Sequence, residues 1–305
     1  MTRSVLVLMG GWSVEREVSL VSGAAVSKAL GEAGYRVHTL DVTRDLSVLF
    51  GALKPQPDVV FNALHGRFGE DGRIQGILDI LRIPYTHSGV LASALAMNKP
   101  MAKRLFESAG IPCPEGKVVT RSAVAAGIMD LPFVLKPLDE GSSIGVRIVR
   151  KGDNLPPLDP GDWPYGEHVL IERYIPGREI TVAVMGDHAL GVTELRTSTH
   201  FYDYDAKYKE GRTTHLVPAP LPKPAYDEAM DLAVRAHRSL GCRGVSRADL
   251  RFDDTAGDPG RFYMLEVNTQ PGMTPLSLVP EQAAHAGISF VELCRWMVEN
   301  AQCDG

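Results

Sequence analysis

The chain has 305 residues, 44% of them hydrophobic and 23% charged, with 32 basic against 37 acidic side chains for a formal net charge of -5. That is enough chain for two or three globular domains, and the slight acidic excess argues against a phosphate-backbone partner and for small-molecule chemistry. Cys113, Cys242, Cys294 and Cys303 show no CxxC spacing, and the apolar run VLVLM (5–9) is too short for a signal peptide or membrane span, so a reduced, cytoplasmic protein is expected.

The front of the chain alternates strands and helices. SVLVLMG (4–10) reads as a buried strand, and 15–34 places Val18, Val21, Ala25 and Ala29 at helical spacing before Gly34. Strands follow at 35–42 and 58–64, then a helix over IQGILDILR and a short strand at IPYT. This rhythm predicts a parallel sheet wound in the right-handed sense, whose ligands bind beyond the carboxyl ends of the strands. GGWSVERE and HGRFGEDG occupy two such ends, and both carry charge and glycine. From Asn98, a helix over PMAKRLFESAG leads through IPCPEG to strands at FVLKP, SIGVRIV and VLIERY. From about Gly177 come strands EITVAVMG and ALGVTEL, a Tyr-rich stretch, a helix over 226–241, strands at SRADLRF and RFYMLEVN, and a closing helix near 289–300. The expected organisation is an αβ domain over 1–96 and two α+β lobes over 97–176 and 177–305, with predominantly antiparallel strands.

Three stretches carry chemistry. In VLKPLDEGSSIGVRIV (134–149) the lysine precedes the glycines, the reverse of the Walker order GxxxxGK[ST]. Lys136 would project from a strand end while the loop's backbone N–H groups cover phosphates; a hairpin with a snorkelling lysine fits the same residues. In VLIERYIPGREITVAV, Glu172 and Glu179 flank a turn, carboxylates suited to ribose hydroxyls beside a strand edge that could read a base. Alternation puts Arg247, Asp249 and Arg251 on one strand face, and Glu266 and Asn268 on one face between apolar Leu265 and Val267. Asp249, Glu266 and Asn268 are hard oxygen donors of the kind Mg2+ takes together with phosphate oxygens. Cross-strand ion pairs on a wet sheet face are the other reading, and the histidines lack zinc spacing.

EGSSIG after VLKP, VLIERYIPGREITV, FYDYDAKY, SRADL and LEVNTQPGMTPLSLVP, with GGWSVEREVSL and ALHGRFGEDG at the front, resemble the D-alanine:D-alanine ligase family of the ATP-grasp superfamily. The similarity runs over nearly the whole chain, in the family's order. It implies an ATP-grasp fold: a Rossmann-like parallel-sheet domain followed by two α+β lobes clasping ATP, in a homodimer. By the same resemblance Lys99, Lys136, Ser142, Glu172, Arg173, Ile175, Glu179, Phe201, Lys207 and Asn268 should hold ATP. Asp249, Glu266 and Asn268 should hold two Mg2+ or Mn2+ ions. Glu15, Val18, His65, Arg247, Gly272, Ser277 and Leu278 should hold the D-alanine substrates. Glu15, Ser142 and Tyr208 should form a hydrogen-bonded chain and, with Arg247 and Gly272, the catalytic group.

The implied reaction moves the γ-phosphoryl of ATP to a D-alanine carboxylate, and a second D-alanine's amine then attacks the acyl phosphate. Residues 198–215 are expected to form a lid that excludes water. Tyr208 favours an amine over a hydroxy acid as second substrate. Two residues depart from the family pattern: Trp12 after the N-terminal glycines, and His87 where glycine is usual, a position that would be strained if it needs positive φ. The rivals are another ATP-grasp carboxylate–amine or D-alanine:D-lactate ligase, which need not keep Glu15 and the YDYDAKY lid, and a non-catalytic nucleotide-binding protein, which has no reason to keep Arg247 and the metal set.

Overall fold

The computed structural model describes residues 2–124, 129–141, 144–153, 158–159, 161–197 and 213–304. The first sheet is parallel, with strands β1 (Ser4–Gly10), β2 (Arg36–Val42) and β3 (Val59–Asn62) in the order β2-β1-β3. Helix α1 (Arg16–Glu32) connects β1 to β2, as its periodicity predicts. In this front region two helices were not read from sequence, α2 (Leu46–Ala52) and α4 (Val90–Met97), which flank α3 (Arg73–Ile80). The strand expected at IPYT is reduced to bridges from Tyr85 to Val60 and to Gln302. Tyr85 pairs with the sheet edge on one side and with the C-terminal tail on the other, by a single bridge each, and neither pairing extends into a ladder.

Helix α5 (Lys99–Ser108) opens at Asn98, whose side-chain oxygen accepts from the Met101 N–H at 3.1 Å, a standard N-cap. Next come strands β4 (Gly116–Thr120), β5 (Phe133–Lys136), β6 (Arg147–Val149) and β7 (His168–Arg173), an antiparallel sheet in the order β4-β7-β5-β6, with the one-turn helix α6 (Arg121–Val124) directly after β4. The third sheet is also antiparallel, β10-β9-β8-β11-β12, with β8 Arg178–Met185, β9 His188–Thr197, β10 Thr213–Leu216, β11 Val245–Asp253 and β12 Arg261–Asn268. Helix α7 (Lys223–Ser239) covers one face of it, and α8 (Leu278–His285) and α9 (Phe290–Glu299) follow. β4, β10 and α8 carry no clear signal in the sequence. None of the described helices is long and apolar enough to cross a membrane.

Packing cuts across the expected boundaries. Ala102, Phe106 and Ile111, placed by sequence in the central lobe, belong to the core under the third sheet with Ile180, Val182, Leu250, Phe262 and α7's Ala229 and Ala233. The last helix, through Leu293, Met297 and Val298, packs beside Val5, Val7 and Phe61 of the first sheet. The start and the end of the chain therefore share one core.

His87 does take a left-handed conformation, φ 71°, and is buried with its ring edge-on to Phe61. Burial drives its pKa down to about 3, and burial likewise brings His237 to about 4. Both are neutral in the fold but regain an ordinary value near 6.5 when unfolded, so their contribution to stability is complete above about pH 6.5 and is lost as the pH falls toward 4 and 3. Within that window each group costs about 1.4 kcal/mol per pH unit. His87→Asn, which tolerates the same backbone without titrating, should show a smaller drop in Tm between pH 7 and pH 5 than the unaltered protein, as read by thermal denaturation.

Candidate functional site

The polar faces of the second and third sheets look at each other across a cleft. On β5, Phe133 and Leu135 enter the core while Val134 and Lys136 face the cleft; on β7, Val169 and Ile171 enter the core while Glu172 faces it. On β11, Ala248, Leu250 and Phe252 are buried while Arg247, Asp249 and Arg251 face out. The cleft holds two adjoining cavities, of about 840 and 900 Å³ with their open mouths. They meet at three side chains, Lys99, Glu140 and Glu266.

The first cavity lies between the sheets, with Lys136, Glu172, Arg173, Ile175, Glu179 and Asp249 on its wall. A β-bulge adds an apolar surface. Asp249 pairs with Glu266 but Leu250 pairs with Met264, so Leu265 has no partner and turns into the cavity beside Glu266. Strict alternation had put Leu265 on the opposite face; the extra residue is what moves it. Leu265 with Val134, Val146 and Ile148 offers an apolar slot, and the carboxylate of Glu179 lies 3.5 Å from Arg251.

Glu172 is almost wholly buried, and its two oxygens are divided: Oε1 lies 2.5 Å from Lys103 Nζ and Oε2 2.5 Å from Lys136 Nζ. Burial alone would raise this carboxyl; the charges of Lys136 and Lys103 outweigh it and hold the pKa below the usual range. Its carboxylate, expected to serve a nucleoside, is thus already engaged by two lysines. Lys99 is buried at the start of α5, where burial lowers its pKa, offset in part by Glu266. Its Nζ donates to the Glu140 carbonyl and its backbone N–H to Leu138 O at 2.9 Å, tying the helix to the Gly-Ser loop. Arg67, from the loop after β3, reaches the same segment at Asp139 (3.1 Å) and Glu140 (3.4 Å).

The second cavity is bounded by the loops after β1 and β3, which bring Glu15, His65 and Glu70 against Arg247, Asn268, Gly272, Ser277 and Leu278. Glu15 is buried at the N-terminus of α1. His65 sits between Ser22 Oγ (3.2 Å from Nε2) and Glu70 Oε1 (3.1 Å from Nδ1), all buried. A Cβ on Gly272 would lie 2.7 Å from Ser277 Oγ, so the fold of this one loop between β12 and α8 leaves space for a glycine while Ser277 keeps its hydroxyl there. The opposite wall is the N-terminus of α8 at Ser277 and Leu278, an electropositive end suited to a carboxylate. Arg247 grips Asp249 with two bonds, Nε to Oδ1 at 2.8 Å and an Nη to Oδ2 at 2.7 Å, and Thr181 Oγ1 donates to Asp249 at 2.8 Å.

For a divalent cation, the donor set fits in part. Asp249 and Glu266 are direct cross-strand neighbours, and Asn268 lies two residues further on the same face. No three His, Cys, Asp or Glu side chains converge on a point among the described residues, so phosphate oxygens would have to complete the shell, as Mg2+ sites commonly require. Asp249 would have to be shared with Arg247, whereas Glu266 stands between the two cavities.

Of the residues singled out from sequence, Val18 is buried in α1 and is not among the side chains lining the cleft. It sits within the first turn of the helix, under the loop that carries Glu15. Ser142, Phe201, Lys207 and Tyr208, and with them most of the expected lid, lie outside the described residues. Trp12 packs 4.9 Å from Phe68 at the back of the β3 loop, so this departure from the family pattern supports the loop and does not face the cleft. Sequence reasoning missed Lys103, Glu70, Glu140 and Gln270. Lys103 follows Lys99 by one helical turn, and Glu70 and Glu140 stand inside stretches already singled out, so a signal existed for those three. Nothing flagged Gln270. It is buried between the lobes, where Oε1 accepts from Asn62 Nδ2 at 2.7 Å and Nε2 donates to Leu64 O, while its own backbone N–H donates to Asn268 Oδ1 at 2.8 Å.

Two antiparallel sheets clasping a lysine-lined, nucleotide-sized cavity, with a parallel-sheet unit closing one end, define an ATP-grasp enzyme. Family models described as D-ala D-ala ligase N-terminus and C-terminus match residues 47–88 and 105–299. The chain belongs to the D-alanine–D-alanine ligase family. It is 60% identical to a D-alanine–D-alanine ligase of Rhodospirillum rubrum over all of both chains, and 58% identical to one of Parvibaculum lavamentivorans over 99% of this chain and 98% of that one. Among solved structures it is similar to the D-alanine–D-alanine ligase of Bacillus anthracis complexed with ATP (31% identity, TM-score 0.83, 98% and 97% of the two chains). It is also similar to the VanG D-Ala:D-Ser ligase of Enterococcus faecalis (27%, TM-score 0.81, 98% and 99%).

Gln270→Ala would strand the Leu64 carbonyl and an Asn62 N–H in a buried seam, at a cost of about 2 kcal/mol. The expected outcome is a Tm lower by a few degrees, measured by calorimetry, with Gln270→Leu no better because it restores bulk but neither bond.

Proposed function

We propose that the protein joins two D-alanine molecules into D-alanyl-D-alanine, consuming ATP and releasing ADP and phosphate, as a step toward peptidoglycan precursors. The observation that carries this reading is the junction of the two cavities at Lys99, Glu140 and Glu266. A nucleotide in the apolar slot would present its terminal phosphate there, at the mouth of a small polar pocket.

In this reading Lys99 and Lys136 offset the charge of the phosphate oxygens, since phosphoryl transfer depends mainly on positioning and electrostatics. Glu15 receives the ammonium of the first D-alanine, and His65, steadied by Glu70, lies beside it. The first carboxylate attacks the γ-phosphorus, the bond to ADP breaks, and an acyl phosphate forms. The second D-alanine's amine attacks its carbonyl carbon, and phosphate leaves with the electron pair of the C–O bond. Arg247 donates to the oxyanion that develops between those events; removing such a donor typically costs about 3 kcal/mol of barrier. Ser277 and Leu278, at the N-terminus of α8, receive the second carboxylate. Tyr208 and Ser142 are the candidates for taking the amine proton. Asp249, Glu266 and Asn268 would hold Mg2+ or Mn2+, which would neutralise phosphate charge when bound. The assembly is read as a homodimer through the N-terminal region, where Ile80 and Leu91 are 84% and 70% exposed.

The similarity to a D-Ala:D-Ser ligase makes the second substrate the point to test. Phosphate release from ATP and Mg2+ should require D-alanine, with L-alanine inert and with D-serine and D-lactate poor second substrates by product analysis. Absence of D-alanine-dependent phosphate release would reject the reading, and D-alanyl-D-serine or D-alanyl-D-lactate as the main product would reassign it. Lys136→Ala should abolish turnover, whereas Glu15→Gln should chiefly raise KM for the first D-alanine, as steady-state kinetics would show.

A further inference from the structure

We propose that Lys103 is a positioning residue for the nucleotide phosphates: by occupying one oxygen of Glu172 it leaves Lys136 with uncompensated positive charge on the cleft side. This rests on the reading of the cleft as an ATP site. Lys103 itself does not line either cavity, and its side chain is only 8% exposed. Its Nζ lies 2.5 Å from Glu172 Oε1 and donates to Pro114 O at 2.5 Å.

A buried carboxylate needs one cation to be compensated, and here it has two. With Lys103 in place the trio carries one net positive charge, directed at the cavity through Lys136. Without Lys103, Glu172 and Lys136 would neutralise each other, and incoming phosphates would compete with a buried carboxylate for the Lys136 ammonium, leaving Lys99 as an uncompensated cation on this wall. The strand pairing is built around this trio. Gly116 lies opposite Glu172 in the β4–β7 register, and a Cβ there would fall 2.9 Å from Glu172 Cγ and 3.0 Å from Lys103 Nζ. Any side chain at 116 would crowd the carboxylate and the hidden lysine. Nothing in the chemistry of the transferred group requires Lys103 to touch it, so its influence passes through Glu172 to Lys136.

The test compares the full-length protein with Lys103→Gln, Lys103→Arg and Glu172→Gln, by calorimetric binding of ATP, ADP and adenosine at one Mg2+ concentration. The readout is the ratio of the adenosine Kd to the ATP Kd, which cancels effects on the base and ribose. Lys103→Gln, which keeps a donor but no charge, should lower that ratio about tenfold, the scale of one charge acting at this range in a partly desolvated site. It should also raise KM for ATP while leaving KM for D-alanine nearly unchanged. Lys103→Arg should recover most of the ratio. Glu172→Gln should move the ratio the other way, so the proposal is testable even if the Lys103 variants fold poorly. An equal loss of adenosine and ATP affinity in Lys103→Gln, or a fall of the ratio in Glu172→Gln, would overturn the proposal alone. Failure of the unaltered protein to bind either ATP or adenosine would overturn the ATP reading and this proposal with it.

Discussion

The constraint from which the rest follows is the two-residue period of the strands. Each antiparallel sheet buries one face: Leu135 and Ile171 with Trp163 in one, and Ile180, Val182 and Leu250 with α7 in the other. The residues between them, Lys136 and Glu172 on one side and Thr181, Arg247 and Asp249 on the other, are polar and cannot be packed dry against each other without large desolvation costs. The two sheets therefore leave a cleft between these faces. The one break in the period, at Leu265, is what gives that cleft an apolar wall.

Within the cleft the charges are only partly balanced. Three lysines, Lys99, Lys103 and Lys136, are gathered around Glu172, Glu140 and Glu266, and burial already weighs on the lysine at the head of α5. Desolvating cations before any ligand arrives is unfavourable for the folded protein, and it makes the site receptive to an anion that completes their solvation. The bidentate Arg247 and Asp249 pair works differently: it holds an arginine rigid where a carboxylate would react, and keeps an acidic oxygen within reach of a cation.

The parallel unit at the front closes the site because it is packed and hydrogen-bonded to the rest of the molecule. The closing helix lies in its core, Gln270 bridges Asn62 and Leu64, and Arg67 reaches across to Asp139 and Glu140. Each link carries the loops after β1 and β3 toward β12, so a small pocket opens at the end of a nucleotide-sized one. Two pockets with a shared wall are what a two-step reaction through a water-sensitive intermediate needs.

Sequence alone settled whatever depends on near neighbours. The αβ rhythm of the first ninety residues, the two faces of β11, the shared face of Glu266 and Asn268, the glycine-bearing loops after β1 and β3, and the motifs that mark the family are all set by spacing along the chain. His87 stood out as a departure from the family's usual glycine, and the fold supplied the positive φ that makes the departure matter. Only the folded molecule decided which distant groups share an atom's worth of space. It paired Glu172 with a lysine hidden one helical turn behind Lys99, lodged Gln270 between lobes more than two hundred residues apart in sequence, buried Val18 within α1, and moved Leu265 through a bulge. Those outcomes depend on cross-strand register and on the desolvation of particular charges, and neither is a property of any short stretch of sequence.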